Sequence, residues 1–504
     1  LANVQKILGV SFLSLSLFGC TVGPDFKTPK SPTTNSFTAV SLPDKTVSIK
    51  SAPEKTQKLL VAQEISHQWW ALFQSDALNQ LVERGLKNSP TLQAAQASLR
   101  QAEANLKSET SGFFPFVDAQ IGAKRQKQSK APLGVKGPAT TFNLYNASVD
   151  VSYSPDIFGA LRRQAEAAEA QVDFQRFELE AAYLTLTSNI VTTAIQEGSL
   201  RAQIQVTKEL LASQEKQLKI LKGQFSLGGI SQTDIFSQET LVAQTMASLP
   251  TLESALAQTR HALAILVGDL PSEANLPVFN LTDIRLPQEV PVTLPSTLVQ
   301  NRPDIKAAEA LLHQANAEIG VAKAHMFPQI MITGSKGFIS NSTHKLFAGS
   351  SDVWNIGSNL LQPIFQGGAL MARKDAAMAA YDAAFAHYRQ TVLQSFQQVA
   401  DVLTVLVEGA KTHKALDAAE KSALRALDLS RKQHQMGAIS FLVLLNSEHQ
   451  YQQTRIGRIQ AEAARYTNTA ALFQALGGDC FAQRSQPPQK EQSEISRIKD
   501  SPSS

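Results

Sequence analysis

The sequence predicts a mainly helical, internally duplicated fold in which long helical hairpins alternate with pairs of strands. Three observations carry this. First, residues 88–115 overlay residues 301–328 without a gap: Asn88 answers Asn301, Pro90 answers Pro303, Leu99 answers Leu312, and Phe114-Pro115 answers Phe327-Pro328, always 213 residues apart. Second, Ala160 to Leu227 and Ala369 to Met436 contain no proline and carry apolar residues at three-and-four spacing, as in Leu179, Ala182, Leu186 and Ile190. Third, Asn146-Ser148-Asp150-Ser152-Ser154 alternates with Ala147-Val149-Val151-Tyr153, which is the period of a strand with one polar and one apolar face. The repeat is far longer than the 20–50 residues of solenoid arrays, so one structural unit is built twice.

Composition narrows the choice. Charged residues are 18% and aromatics 7% of the 504 positions, while Ala and Gln recur throughout. That suits long, closely packed helices better than one large globular core. Net charge is only +4, with no basic stripe interleaved with aromatics, so nucleic acid is not an expected partner.

The elements follow in order. Residues 1–19 read as an export signal: Lys6, an apolar run from Ile7 to Phe18, then Gly19-Cys20. The run is too short for a spanning helix. Leu17-Phe18-Gly19-Cys20 resembles the lipobox of bacterial lipoproteins, which makes Cys20 the candidate lipidation site. Several acyl chains there would anchor the chain stably. Cys480 then has no intrachain partner, so no disulfide framework is expected. Residues 20–65, rich in Pro, Thr, Ser and Lys, read as an extended tether, and 481–504 as a disordered tail.

Two repeats lie between, 66–290 and 291–480. Each opens with a helix, 74–110 and 296–325, carrying Pro90 or Pro303. Each continues through two strands, 113–124 and 143–158 in the first, 327–340 and 353–365 in the second. Trp354, Ile356 and Leu360 share one strand face. Four strands alone leave two raw sheet edges, which an oligomer pooling its strands would remove. A helical hairpin ends each repeat, 160–268 and 369–477. Each long arm of roughly 67 residues would reach about 100 Å. Pro250 is expected to kink or break the first return helix.

The hairpin turns are chemically legible, because Gly228-x-Ile230-Ser231 answers Gly437-x-Ile439-Ser440. Gly228 and Gly437 suit the left-handed position that ends a helix. Ser231 and Ser440 suit the N-cap of the returning helix, accepting a bond from an orphan N–H. Asp234 completes an S-x-x-D start, a capping and dipole arrangement worth roughly 0.5–1 kcal/mol. At the second tip Ser440-Phe-Leu-Val443-Leu-Leu-Asn446 has no carboxylate. Gly159 and Gly367-Gly368 stand where strand turns to helix, and no Lys-Ser/Thr follows to make a phosphate loop.

Landmarks spread in order along the chain resemble the TolC/OprM-type outer membrane factors, in their NodT-like lipoprotein branch. They include Cys20-Thr-Val-Gly-Pro-Asp25-Phe, Trp69-Trp70 with Phe73, Phe158-Gly159-x-x-Arg162-Arg163, Asn301-Arg302-Pro303-Asp304-Ile305, Pro363-Ile364-Phe365-x-Gly367-Gly368, Val399-Ala400-Asp401 and Ala475-Leu476-Gly477-Gly478. The resemblance covers roughly residues 20–478. It implies a homotrimer with a twelve-stranded β-barrel in the outer membrane and a periplasmic α-barrel of hairpins. It also implies a duct that serves a tripartite pump through a periplasmic adaptor (membrane fusion protein) and an inner-membrane pump. Thr21 after Cys20 favours outer-membrane sorting. The tip residues Gly228, Ser231, Asp234, Gly437, Ser440, Val443 and Asn446 would border the periplasmic pore entrance. There Asp234 would attract cations and help hold the tip closed, while Val443 would make the constriction more apolar than in relatives.

The competing readings are blander. A lipid-tethered periplasmic coiled-coil scaffold or adaptor fits if 113–158 and 327–365 stay soluble; a surface adhesin gives the paired tips no purpose. Trp69-Trp70 are expected to anchor packing rather than stack on a ligand, and Arg162-Arg163 to be a solvated interfacial pair. No Ser-His-Asp set, carboxylate pair or metal-ligand spacing stands out. No enzyme, cofactor or metal is therefore expected.

Overall fold

The computed structural model describes residues 21–34, 36–48, 55–61, 63, 66, 68–129, 134 and 138–478. The expected export signal, Cys20 and the expected tail at 481–504 lie outside the described residues. In chain order the elements are strand β1 (Lys58–Val61), helices α1 (Asp76–Asn88) and α2 (Pro90–Thr110), strands β2 (Phe116–Gln128) and β3 (Thr140–Tyr153), and the hairpin α3 (Ala160–Ser226) with α4 (Gln232–Leu266). The second repeat follows with β4 (Glu289–Val292), α5 (Pro295–Asn301), α6 (Pro303–Ala324), β5 (Gln329–Ser340), β6 (Asp352–Leu361), and the hairpin α7 (Ala369–Gln435) with α8 (Phe441–Ala475). The duplication is metrically strict, since both long arms have 67 residues and both return arms 35.

Two compact units divide the chain. The first comprises residues up to Pro29, Ser98–Gln175 and Ala308–Tyr388; the second comprises Lys30–Ala97, Arg176–Ala307 and the residues from Arg389 onward. The first unit holds the four-stranded sheet, ordered β2-β3-β5-β6 and antiparallel throughout. Consecutive strands pair as hairpins, and β3 meets β5 to join the two repeats in one sheet. Among the described residues no helix is long and apolar enough to cross a membrane.

Several expectations need correction. The leading segments 74–110 and 296–325 are not single helices. Each is split by one residue, Ser89 (ψ 121°) or Arg302 (ψ 123°), immediately before Pro90 or Pro303. The proline ring pushes the residue before it out of helical geometry and supplies no N–H of its own. Pro250, by contrast, sits inside an unbroken α4. The strands begin and end off the expected limits: β2 starts at Phe116 because Ser111–Phe113 form a short 3-10 turn. β6 ends at Leu361, ahead of Pro363, which cannot donate to a ladder.

The second unit contains a feature that the alternation pattern did not signal. Within the expected tether, β1 pairs in parallel with β4, Leu59 opposite Val290. Four-residue strands are too short for period-two patterning to declare itself. Packing in this unit is anchored by Trp69, wholly buried against Phe473 with ring centroids 5.4 Å apart and edge-on to Phe73. The tryptophan pair thus acts as a core anchor.

Candidate functional site

The tips of the two hairpins are built by the same backbone device. At the first, Gly228 adopts φ +76°, its N–H donates to the Phe225 carbonyl at 2.9 Å, and the Gly229 N–H donates to the Gln224 carbonyl at 2.9 Å. At the second, Gly437 adopts φ +72°, its N–H donates to the His434 carbonyl at 2.9 Å, and the Ala438 N–H donates to the Gln433 carbonyl at 2.9 Å. These paired bonds form a Schellman stop, satisfying two carbonyls that the helix end would otherwise orphan. Nothing lies within 4 Å of a Cβ on either glycine, so the left-handed backbone alone demands glycine there.

The returning arms differ. Ser231 (φ −82°, ψ 155°) accepts the Asp234 N–H on Oγ at 3.3 Å, while Asp234 Oδ2 accepts the Ser231 N–H at 3.2 Å, a complete capping box. Ser440 occupies the same backbone position (φ −71°, ψ 157°), but its side chain makes no cap bond. This corrects the expectation of two equivalent caps. Val443 replaces the carboxylate, so the reciprocal bond has no acceptor and the serine hydroxyl is not held. Val443 and Asn446 instead line a cleft of about 270 Å³ with Ala423, Ala426, Ser447 and Gln450.

Under the tips, Leu221 and Leu427 from the long arms pack with Phe441, Leu444 and Leu445, and Ile230, Leu241 and Tyr451 close around them. The ion pair Arg455–Glu209 (2.9 Å) joins the two hairpins; Arg431–Glu448 (3.2 Å) and Lys222–Glu239 (2.8 Å) each tie one hairpin's arms together. Apolar side chains also remain exposed here: Leu227, Phe236, Met436 and Leu442.

The sheet of the first unit has two unlike faces, fixed by the register Val117↔Val151, Val151↔Gly334 and Gly334↔Ile356. Because side chains alternate along a strand, one face carries Val117, Ala119, Ile121, Ala147, Val149, Val151, Ile332, Trp354, Ile356 and Leu360. Its apolar groups are open: Ile121 is 86% exposed, Ile356 78% and Trp354 70%. The opposite face carries Asp118, Gln120, Asn146, Ser148, Asp150, Ser152, Thr333, Ser335 and Asn355, with apolar residues toward its ends. The outer edges of β2 and β6 have no strand partner among the described residues.

The helix end of this sheet is where the strand-to-helix glycines sit. Gly159 has φ +80°, and Gly367 and Gly368 have φ +58° and +85°. Gly159 also permits contact with Thr21, whose Cα would lie 2.9 Å from a Cβ at that position. The segment after Thr21 is strapped down by side chains that motif reading misjudged. Arg163 is buried, donating to Asp25 at 2.7 Å and to Glu166 at 2.6 Å. His313 stacks on Phe26 at 4.4 Å and bonds Glu166 at 3.0 Å, and Asn316 donates to the Pro24 carbonyl at 2.9 Å. Arg162 binds Asp156 at 3.1 Å. The arginines are therefore not a solvated pair. The Arg163/Glu166 spacing was the signal available.

Two polar clusters of the second unit were also unforeseen. Arg302 donates to the Ala475 carbonyl at 2.7 Å and to Asp304 at 2.8 Å. His413, 2% exposed with Nδ1 unbonded, is held by burial at a pKa of about 4, against a partial opposing pull from Glu462. Beside it Lys55 and Arg458 pair with Glu462, and Arg465 donates to the Lys55 carbonyl at 2.6 Å.

Comparison with known proteins agrees with this architecture. The outer membrane efflux protein family model matches residues 81–269 and 294–478. The pyoverdine export outer membrane protein OpmQ of Pseudomonas aeruginosa is 29% identical over 417 residues, 82% of this chain and 87% of that protein. Nodulation protein T of Rhizobium leguminosarum bv. trifolii is 27% identical over 473 residues, 92% of this chain and 94% of that protein. Among solved structures, the outer-membrane channel OprN superposes with a TM-score of 0.82 at 26% identity, covering 91% of this chain and 99% of that one. With its doubled hairpins and two-faced sheet matched over nearly its whole described length, the chain belongs to the outer membrane efflux protein family.

Proposed function

We propose that this protein is the outer-membrane exit duct of a tripartite efflux system, working as a homotrimer whose four-stranded sheets close edge to edge. The observation that carries this is the sheet itself: one face is apolar, the other polar, and its outer edges have no strand partner among the described residues. Strands of 10 to 14 residues are long enough to cross a bilayer when tilted. In lipid, an open edge would strand backbone N–H and C=O groups at several kcal/mol each, so closure is obligatory. Three copies give twelve strands with lipid-facing apolar and lumen-facing polar residues.

On this reading the long hairpins continue the lumen into the periplasm. Their tips, around Gly228, Ser231, Asp234, Gly437, Ser440, Val443 and Asn446, border the entrance where a periplasmic adaptor and inner-membrane pump dock. Cys20 carries the lipid, and the strap from Thr21 to Pro29 holds that anchor at the helix end of the sheet. Conductance in planar bilayers without nucleotide or substrate, from a detergent-extracted trimer, is the expected result. Cysteines placed at 342–350 should react with a membrane-impermeant thiol reagent on whole cells. Silent cysteines on a monomer that needs no detergent would refute the duct and favour a periplasmic scaffold.

A further inference from the structure

On the apolar face, the β2–β3 hairpin ends in two cations, and a third lies nearer the helices on β5. Arg125 and Lys127 continue the β2 row begun by Val117, Ala119, Ile121 and Ala123, paired across to Asn143 and Thr141. Lys336 lies on the same face of β5, directly opposite Trp354 of β6. All three are exposed, and none makes an ion pair with any described residue. Asp352 is the one carboxylate that the register places on this face among the described strand residues. Arg125 and Lys127 are about 7 Å apart along their strand.

From this arrangement we infer that the hairpin end of the outward face binds the phosphate groups of an outer-leaflet phosphoglycolipid. The inference rests on the reading that the apolar face meets lipid. On that reading the row passes from acyl-chain contact at Ile121 to cations two and three side chains further on, where a headgroup begins. Lys336 and Trp354, in register with Val149 and Ala119 on the helix side of Ile121, are not part of that boundary. Unpaired cations held near a bilayer surface repel each other unless an anion is supplied. Phosphates of the lipid supply it, through the fork of Arg125 and the point charge of Lys127. The polar face receives no such lipid, so its Lys124 is not part of the site.

The test titrates the intact assembly in detergent with bis-phosphorylated lipid A and with the same lipid enzymatically dephosphorylated, reading bound lipid by native mass spectrometry. The phosphorylated lipid should bind more tightly, and the preference should weaken as salt rises. Arg125→Gln with Lys127→Gln should reduce affinity for the phosphorylated lipid roughly ten- to thirty-fold while leaving the dephosphorylated lipid unaffected. Equal binding of the two lipids, wild-type affinity in the double variant, or full displacement by inorganic phosphate would each overturn the proposal. Bilayer conductance measured on the same preparations separates the two readings. A conducting protein indifferent to lipid phosphate defeats this inference alone; a protein that never conducts defeats the duct as well.

Discussion

Gly23 meets Gly320 backbone to backbone: an ideal Cβ on Gly23 would lie 2.6 Å from the Cα of Gly320. With φ +116°, Gly23 is also in a conformation that side chains rarely adopt. Gly23→Ala should therefore unseat the strap, at about 1–3 kcal/mol. The expected readouts are faster hydrogen exchange over residues 22–26 and faster proteolysis near Pro29, with helix content unchanged. Unaltered exchange would show that the side chains of Arg163, His313 and Asn316 suffice to hold the strap.

The tips differ by one side chain, and exchanging it should exchange their properties. Val443→Asp places a carboxylate where Asp234 stands in the first hairpin. It should complete a second capping box, stabilising the start of α8 by about 1 kcal/mol and slowing exchange over 441–447. If the tips border the pore entrance, the same variant should increase cation preference in bilayer reversal potentials, and Asp234→Asn should reduce it. A cation preference that ignores both changes would place the constriction elsewhere.

Arg302, between the two helices, donates its guanidinium to the Ala475 carbonyl at the end of α8 and to Asp304. Arg302→Ala should cost about 3 kcal/mol, leaving a buried carbonyl unsatisfied. Arg302→Lys should recover less than half, because an ammonium cannot reproduce the fork. Thermal melts of helical circular dichroism measure both.

His413 gives a pH dependence with a definite sign. Its folded pKa of about 4 lies below the ordinary value of 6.5, because burial disfavours the imidazolium. Arg465, Lys55 and Arg458 add to that depression, and Glu462 opposes it. The unfolded chain therefore binds the extra proton first. Stability contributed by neutral His413 is intact above pH 6.5 and is lost as pH falls toward 4. Glu462, held below its usual range once its ion partners outweigh burial, loses stability in the same direction at lower pH. His413→Gln should flatten the decline between pH 6.5 and 5. An unchanged slope would assign the decline to carboxylates.

The two sheet faces can be told apart by charge. Ile356→Lys, on the apolar face, should impair membrane insertion by about 2–4 kcal/mol if it lies near the bilayer centre. Asn355→Lys, one residue away on the polar face, should be tolerated and should alter conductance instead. Yields of heat-resistant assembled protein from outer-membrane fractions measure the first effect. Equal tolerance at both positions would argue against a lipid-facing surface.

The sequence by itself determined the doubled plan, both helical hairpins, the four alternating strands and the positions of the tip glycines. Each of these follows from local chemistry: periodicity, proline-free length, or the left-handed backbone that Gly228 and Gly437 alone can adopt without cost. Tertiary structure decided what local chemistry leaves open. It paired β1 with β4 from segments far apart in the chain. It also buried Arg163 and His413, whose neighbours arrive from distant parts of the chain. Burial and ion pairing depend on which surfaces meet, and a periodic pattern records only that a face is apolar, never which residue will lie across from it.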